Sequence, residues 1–109
     1  MAYDEELAGR IRAQLGTRDV VEKRMFGGVG MMLHGNMACG LVKHGLLVRI
    51  DPADFDELIA RADTRPFEMN ANRTPRGWVV VPPEAVEDDA ALAEWVARGV
   101  AFVETLPPK

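Results

Sequence analysis

The amino-acid sequence predicts a two-layer α+β fold, in which an antiparallel sheet carries helices packed on one face. Apolar residues recur at helical spacing near both ends of the chain and once near its middle. Between residues 20 and 50 the pattern changes to short β-prone runs, separated by glycine-containing turns that are too short for a parallel crossover. These observations predict the order α-β-β-β-β-α-β-β-α within one domain, residues 1–109.

Three segments have the apolar spacing and the end residues of amphipathic helices. The first opens with acidic residues, which suit the positive end of a helix dipole, and Gly16 suits its C-terminal cap. The second is expected to begin with Asp51 as its N-cap and Pro52 at its first helical position. The third is expected to begin at Asp88 or Asp89 and to end before the final prolines.

Four consecutive strands are predicted from the runs VVEKRMF, GVGMMLHG, GNMACGLV and GLLVRI. Because the connections between them are short, neighbouring strands must be antiparallel, and the four form a meander. After the second helix, a short extended piece is expected at Phe67 to Met69. The run GWVVV is expected to be a last strand, which Pro82 and Pro83 stop.

Both faces of the predicted sheet are apolar. One face is expected to carry five apolar side chains: Met31, Leu33, Met37, Cys39 and Leu41. The opposite face is expected to carry three more: Met32, Ala38 and Val42. A sheet that is apolar on both sides needs a second cover, which could be another copy of the chain, a partner protein or loops of the same domain.

Composition limits the possible functions. Seventeen acidic and thirteen basic residues give a formal net charge of −4, which opposes diffuse phosphate-driven binding, so direct nucleic-acid binding is not expected. Cys39 is the single cysteine, so no intramolecular disulfide or Cys-rich zinc site can form. No apolar run has the length of a membrane span and the N-terminus lacks a secretory signal, so a cytoplasmic location is expected.

The run KRMFGGVG, residues 23–30, is the first candidate site. Glycines near basic residues can cradle phosphate, but here Lys23 and Arg24 precede the glycines and a strand follows them, which differs from a Walker A loop. A turn or bulge between two strands is the favoured interpretation. Lys23, Arg24, Phe26, Gly27 and Gly28 are kept as candidate binding residues.

Arg49 is the second candidate, because it interrupts the apolar strand LLVRI out of step with Leu46, Val48 and Ile50. It is expected to point to the less buried face, where it could pair with an acidic neighbour or bind an anion. Two further arginines, Arg73 and Arg76, could join Lys23 and Arg24 in a local basic patch if their loops meet. Solvated loop charges are the simpler interpretation.

No constellation of catalytic residues is recognised. Cys39 lies within a predicted strand, where a buried inert thiol is favoured over a nucleophile. His34 and His44 fall in turns at opposite ends of that strand, and no positioned carboxylate completes a metal site. We therefore expect no catalytic residue, no metal and no cofactor.

Three long segments together resemble the N-terminal domain of the TfoX (Sxy) family: EKRMFGGVGMMLHGNMACGLV, GLLVRIDPADFDEL and GWVVVPPEAVEDDAALAEWVARGVAFVETLPPK. The resemblance covers residues 3–109, and the segment from Lys23 to Gly28 is its most specific part. It implies an α+β domain with an antiparallel sheet. It also implies a link to natural competence, since full-length members act as coactivators with the cyclic-AMP receptor protein.

The resemblance suggests a stand-alone copy, because full-length members carry a second helical domain whereas this chain ends at LPPK. It offers no established catalytic residue to transfer. The first expectation is a non-enzymatic regulatory domain that binds a protein partner, with the transcription machinery and a second copy of the chain as candidates. The alternative is a small-ligand or anion-binding protein, or a weak enzyme, that uses the basic residues around the glycine turn.

Overall fold

A computed structural model describes residues 4–25, 27–43, 45–68 and 75–108. Its helices are α1 (Glu5–Leu15), α2 (Phe55–Ile59) and α3 (Asp89–Val103). Its strands are β1 (Val20–Met25), β2 (Gly28–Leu33), β3 (Asn36–Val42), β4 (Gly45–Arg49), β5 (Arg65–Pro66) and β6 (Trp78–Val81). The predicted fold class and the predicted order of elements are confirmed.

The six strands form one sheet with the order β1-β2-β3-β4-β6-β5, and every neighbouring pair is antiparallel. The first four strands form the expected meander. Strand β6 lies directly beside β4, and the two-residue β5 pairs with the other side of β6. Strands β1 and β5 are therefore the two edges of the sheet.

Helix α1 and helix α3 begin at the acidic caps that the sequence favours. The Asp4 carboxylate accepts hydrogen bonds from the backbone N–H groups of Glu6 and Leu7, at 2.9 and 3.2 Å. Asp88 caps α3 by accepting from the N–H of Ala91 at 3.1 Å. Each cap satisfies N–H groups that the first helical turn cannot pair internally.

The second helix is shorter than predicted. Asp51 is an N-cap as expected, with its side chain accepting from the Ala53 N–H at 2.9 Å, but it caps a 3₁₀ turn rather than an α-helix. That turn spans Pro52–Asp54, and the N–H of Asp54 donates to the carbonyl of Asp51 three residues earlier. The α-helix itself begins only at Phe55.

The short extended piece also differs from the prediction. It lies at Arg65–Pro66 rather than at Phe67 to Met69. Thr64, just before it, is buried and its hydroxyl donates to the Leu58 carbonyl at the end of α2. Directly after this contact, the chain pairs with β6 two residues earlier than expected. Phe67 follows the strand, and Met69 lies outside the described residues.

The helices cover one face of the sheet and form the main core with it. The fully buried Trp95 of α3 belongs to this core, together with Ile11 of α1 and Phe55 of α2. Helix α3 approaches the sheet closely at Gly99, where a Cβ atom would overlap the carbonyl oxygen of Ala38. Within the described residues, no helix has the length and apolar character needed to cross a membrane.

A β-bulge changes which side chains of β3 face the helices. Met31 pairs with Cys39, whereas the next residue, Met32, pairs with Met37, so Ala38 is an extra residue on β3. Both Ala38 and Cys39 consequently belong to the core under the helices, and Met37 belongs to the opposite face. The predicted placement of Met37 and Ala38 was therefore wrong, because strict alternation does not hold across a bulge.

Candidate functional site

The face of the sheet that points away from the helices has its own apolar cluster, which we call the second face. Three of its side chains are buried: Met37, Leu47 and Val80. Five more are partly buried: Met25, Met32, Val42, Phe67 and Trp78. The sequence prediction of a sheet that is apolar on both sides is thus confirmed for the described residues.

Methionine side chains form much of this face. The side chains of Met25 and Met37 meet over Gly30, where a Cβ atom would lie 2.9 Å from Met37 Cε and 3.2 Å from Met25 Sδ. Methionine side chains are unbranched and polarisable, so they adapt readily to the shape of a neighbouring surface. On β1, the apolar surface continues to Val21, which is 55% exposed.

A loop of the same domain covers part of the second face. Phe67, just after β5, packs against its buried residues. Of the three covers considered from the sequence, this one is therefore observed in part. The other two possible covers, a second copy of the chain and a partner protein, remain predictions.

A groove of about 1110 Å³ borders the second face beside β5. Its apolar lining includes Val42, Phe67, Val80 and the Pro82-Pro83 pair. The charged side chains at the groove are of both signs: Lys43, Arg65, Glu68 and Glu84. With two positive and two negative groups, the described lining does not select a strongly charged ligand.

The two glycines of the β1–β2 turn have separate backbone roles. Gly27 has φ of 73°, in the left-handed region that glycine adopts without steric cost. At Gly28 a Cβ atom would overlap the carbonyl oxygen of Leu41 on β3. These roles account for both glycines as parts of a turn and a close strand approach, without a phosphate.

The structure does not bring the predicted basic residues together. Lys23 and Arg24 are exposed on the edge strand β1, and Phe26 lies outside the described residues. Arg49 lies three strand positions away on β4, roughly 14 Å at ~4.8 Å per strand. Arg76 precedes β6 on the far side of β4 and pairs with Asp56 at 2.9 Å.

The local basic patch proposed from these residues is therefore not formed by its described members, because β2, β3 and β4 separate them. Arg73, its remaining predicted member, lies outside the described residues.

The Arg49 guanidinium lies between two aromatic rings, one from β6 and one from α3. Arg49 follows Leu47 by two residues, so both side chains leave β4 toward the second face. The guanidinium carbon is 5.0 Å from the ring centre of Trp78 and 5.6 Å from that of Phe102. Partial burial lowers the pKa of Arg49.

The aromatic contacts of Arg49 were missed by sequence reasoning. Trp78 is its direct partner in the β4–β6 register, and Phe102 comes from the last turns of α3. The sequence did contain one signal, because Arg49 is near the end of one predicted strand and Trp78 is near the start of another. Finding the contact required knowing that β6 pairs with β4, which the spacing of the runs does not reveal.

Cys39 is buried beneath the helices, as expected. Burial raises the pKa of its thiol to about 12, so the sulfur is protonated at neutral pH and is not a nucleophile. His34 lies in the β2–β3 turn with φ of 54°, and His44 lies outside the described residues. Among the described residues, no group of three His, Cys, Asp or Glu side chains could hold a metal ion.

The fold and the second face define a small α+β domain with an adaptable apolar surface. The family model for the TfoX N-terminal domain matches residues 13–103, so the chain belongs to this family. The TfoX N-terminal domain family is not a known enzyme family. No curated protein and no solved structure matches the chain.

Proposed function

We propose that the chain is a non-enzymatic regulatory domain that binds an extended apolar segment of a partner protein on its second face. The observation that carries this proposal is the second face itself, with its methionines and the adjoining groove. Apolar surface that is rimmed by polar residues is typical of protein interaction sites. Membership of the TfoX N-terminal domain family supports a regulatory role.

The size and lining of the groove favour a chain segment over a small molecule. Its volume of about 1110 Å³ is slightly above the range of small-ligand pockets, which span roughly 300–1,000 Å³. It lies beside the short strand β5, where an extended segment can place its side chains against the groove lining. Its apolar lining, with charges of both signs at the rim, suits alternating apolar and polar side chains.

The chemistry of the described residues supports a binding role rather than catalysis. The Cys39 thiol is buried and protonated, and the described carboxylates lie largely at helix starts or in ion pairs. We place the domain in the cytoplasm and link it to regulation of competence, with a component of the transcription machinery as the expected partner.

The test compares the wild-type domain with two variants of the second face, Val21→Glu and Met32→Glu. These residues are direct partners in the β1–β2 register, and Val21 is largely exposed. Ala13→Glu is the matched control, because it places the same charge on an exposed position of α1. Circular dichroism first checks that all four proteins are folded.

The partner protein is first identified by mass spectrometry. We expect calorimetry to show that it binds both the wild type and the Ala13→Glu control. Val21→Glu and Met32→Glu should each weaken that binding by about tenfold or more, or ~1.4 kcal/mol. Equal binding to all four proteins would exclude the β1–β2 part of the second face from the site and leave only the groove beside β5. A wild-type dimer in light scattering that Met32→Glu dissociates would assign this face to a second copy instead.

A further inference from the structure

Arg49 differs from four ion-paired arginines of the described chain. Arg10, Arg12, Arg61 and Arg76 each lie within ion-pair distance of a carboxylate. Within the described residues, Arg49 takes part in none of the ion pairs or side-chain hydrogen bonds, and its contacts are the two aromatic rings. A guanidinium has five N–H donors in a planar fork, so those of Arg49 are available to a ligand.

The two rings hold this guanidinium in place. Trp78 belongs to β6 and Phe102 to α3, so elements from both layers of the fold fix its position. Cation–π contacts stabilise the charge but satisfy none of its N–H donors. Partial burial lowers the pKa of Arg49, which is the effect expected of a cation that has lost water without gaining a counter-ion.

The described surroundings also favour one direction of approach. Phe102 lines a cleft of about 520 Å³ on the side of the helices, whose charged lining is Asp51, Asp54, Glu94 and Arg98. Its three carboxylates outnumber its one guanidinium, so the net negative charge disfavours an anion in that cleft. An anion would therefore reach Arg49 from the second face, where the described neighbours Leu47 and Trp78 carry no negative charge.

We propose that Arg49 is an oxyanion-binding residue that accepts a carboxylate or a phosphate group in the fork of its guanidinium. Both groups match the planar, two-point geometry of arginine. This proposal does not require the partner described above, because a free small anion would use the same donors. The source of the oxyanion is either such a small molecule or an acidic side chain of a segment bound on the second face.

NMR of the arginine Nε–H groups tests the proposal in the intact chain. Inorganic phosphate and acetate are titrated at constant ionic strength, with chloride as the reference salt, and a peptide of alternating valine and glutamate is titrated separately. Arg76 is the internal control, because it also stacks on a ring, that of Phe55 at 4.8 Å, but has Asp56 as its counter-ion.

We expect the Arg49 resonance to shift and saturate, with half-saturation on the order of millimolar for the free anions, while the Arg76 resonance stays in place. Arg49→Lys keeps the charge but loses the fork, and it should weaken binding by about tenfold. Stronger binding of the peptide than of acetate assigns the oxyanion to a partner side chain, and equal binding assigns it to a free molecule.

An Arg49 resonance that responds to none of the three probes, or only as much as that of Arg76, overturns the proposal. This result is independent of the Arg49→Lys variant, so it holds even if the variant fails to fold. It is also independent of partner binding, since the free anions need no partner.

Discussion

Arg12 of α1 holds Glu22 of β1 in a two-point ion pair, with Arg12 Nε 2.6 Å from Glu22 Oε2 and Arg12 Nη2 3.0 Å from Glu22 Oε1. Paired N–H donors of this kind fix the relative orientation of two elements as well as attracting charge. The pair therefore attaches the first helix to an edge strand of the sheet. The hydrogen bonds from Arg12 lower the pKa of Glu22, and partial burial opposes them.

Glu22→Gln should reduce stability only where the wild-type carboxylate is ionised. A lowered pKa in the folded state contributes stability above the usual carboxyl pKa, and this contribution is lost as pH falls through the folded pKa. Because both side chains are more than a third exposed, we expect about 0.5 kcal/mol at pH 7. Urea unfolding at pH 7 and pH 3 measures the difference.

Glu68→Gln is the control for this change, because Glu68 is exposed and has no ion pair among the described residues. It should have little effect at either pH. If Glu22→Gln lowers the free energy of unfolding equally at pH 7 and pH 3, the carboxylate charge is not the cause.

The turn glycines should respond differently to the same substitutions. Gly28→Ala places a methyl group against the Leu41 carbonyl and should cost about 3 kcal/mol of unfolding free energy. Gly27 has open space around its Cα but a positive φ, so Gly27→Ala should cost about 1 kcal/mol and Gly27→Asn less. Thermal and urea unfolding rank the three variants. A larger loss from Gly27→Ala than from Gly28→Ala would contradict the close approach of β2 to β3.

Two helical glycines form a second matched pair. Gly9 of α1 has no atom within 4 Å of an added Cβ, so Gly9→Ala should stabilise the fold by up to about 1 kcal/mol. Gly99 of α3 touches the Ala38 carbonyl, and Gly99→Ala should destabilise the fold by about 2 kcal/mol despite the better helix former. Stabilisation by both substitutions would show that α3 can move away from the bulge at no cost.

Cys39 should be unreactive toward thiol reagents until the protein unfolds, because the folded thiol is buried and its pKa is raised from 9.0 to about 12. Above pH 9 the unfolded chain releases this proton and the folded chain retains it. Stability should therefore fall with rising pH, and more steeply in the wild type than in Cys39→Ala. Rapid labelling of Cys39 at pH 8 under native conditions would contradict its burial.

The sequence predicted the order of the elements because helix caps, glycine turns and run lengths are local signals. Asp4 and Asp88 act on N–H groups within three residues, so their effect can be read without knowing the fold. The sequence also predicted that Cys39 is inert, because a small apolar residue within a strand is a local signal of burial.

What the sequence could not predict depends on contacts between distant segments. The bulge at Ala38 is a mismatch between β2 and β3, and neither strand reveals it alone. The Arg49 site needs β6 beside β4 and the end of α3 above them. The basic patch failed for the same reason, because the distance of Lys23 from Arg76 depends on the strand order.

The two edges of the sheet are unequal, and this limits how copies of the chain can associate. Strand β1 presents six residues, whereas β5 presents two, of which Pro66 has no N–H to donate. Joining β5 of one molecule to β1 of the next would repeat without end and build a filament. Among the described residues, the short, proline-containing β5 offers too few donors for that contact, so described edges that meet can join only through β1, and such an assembly stops at two.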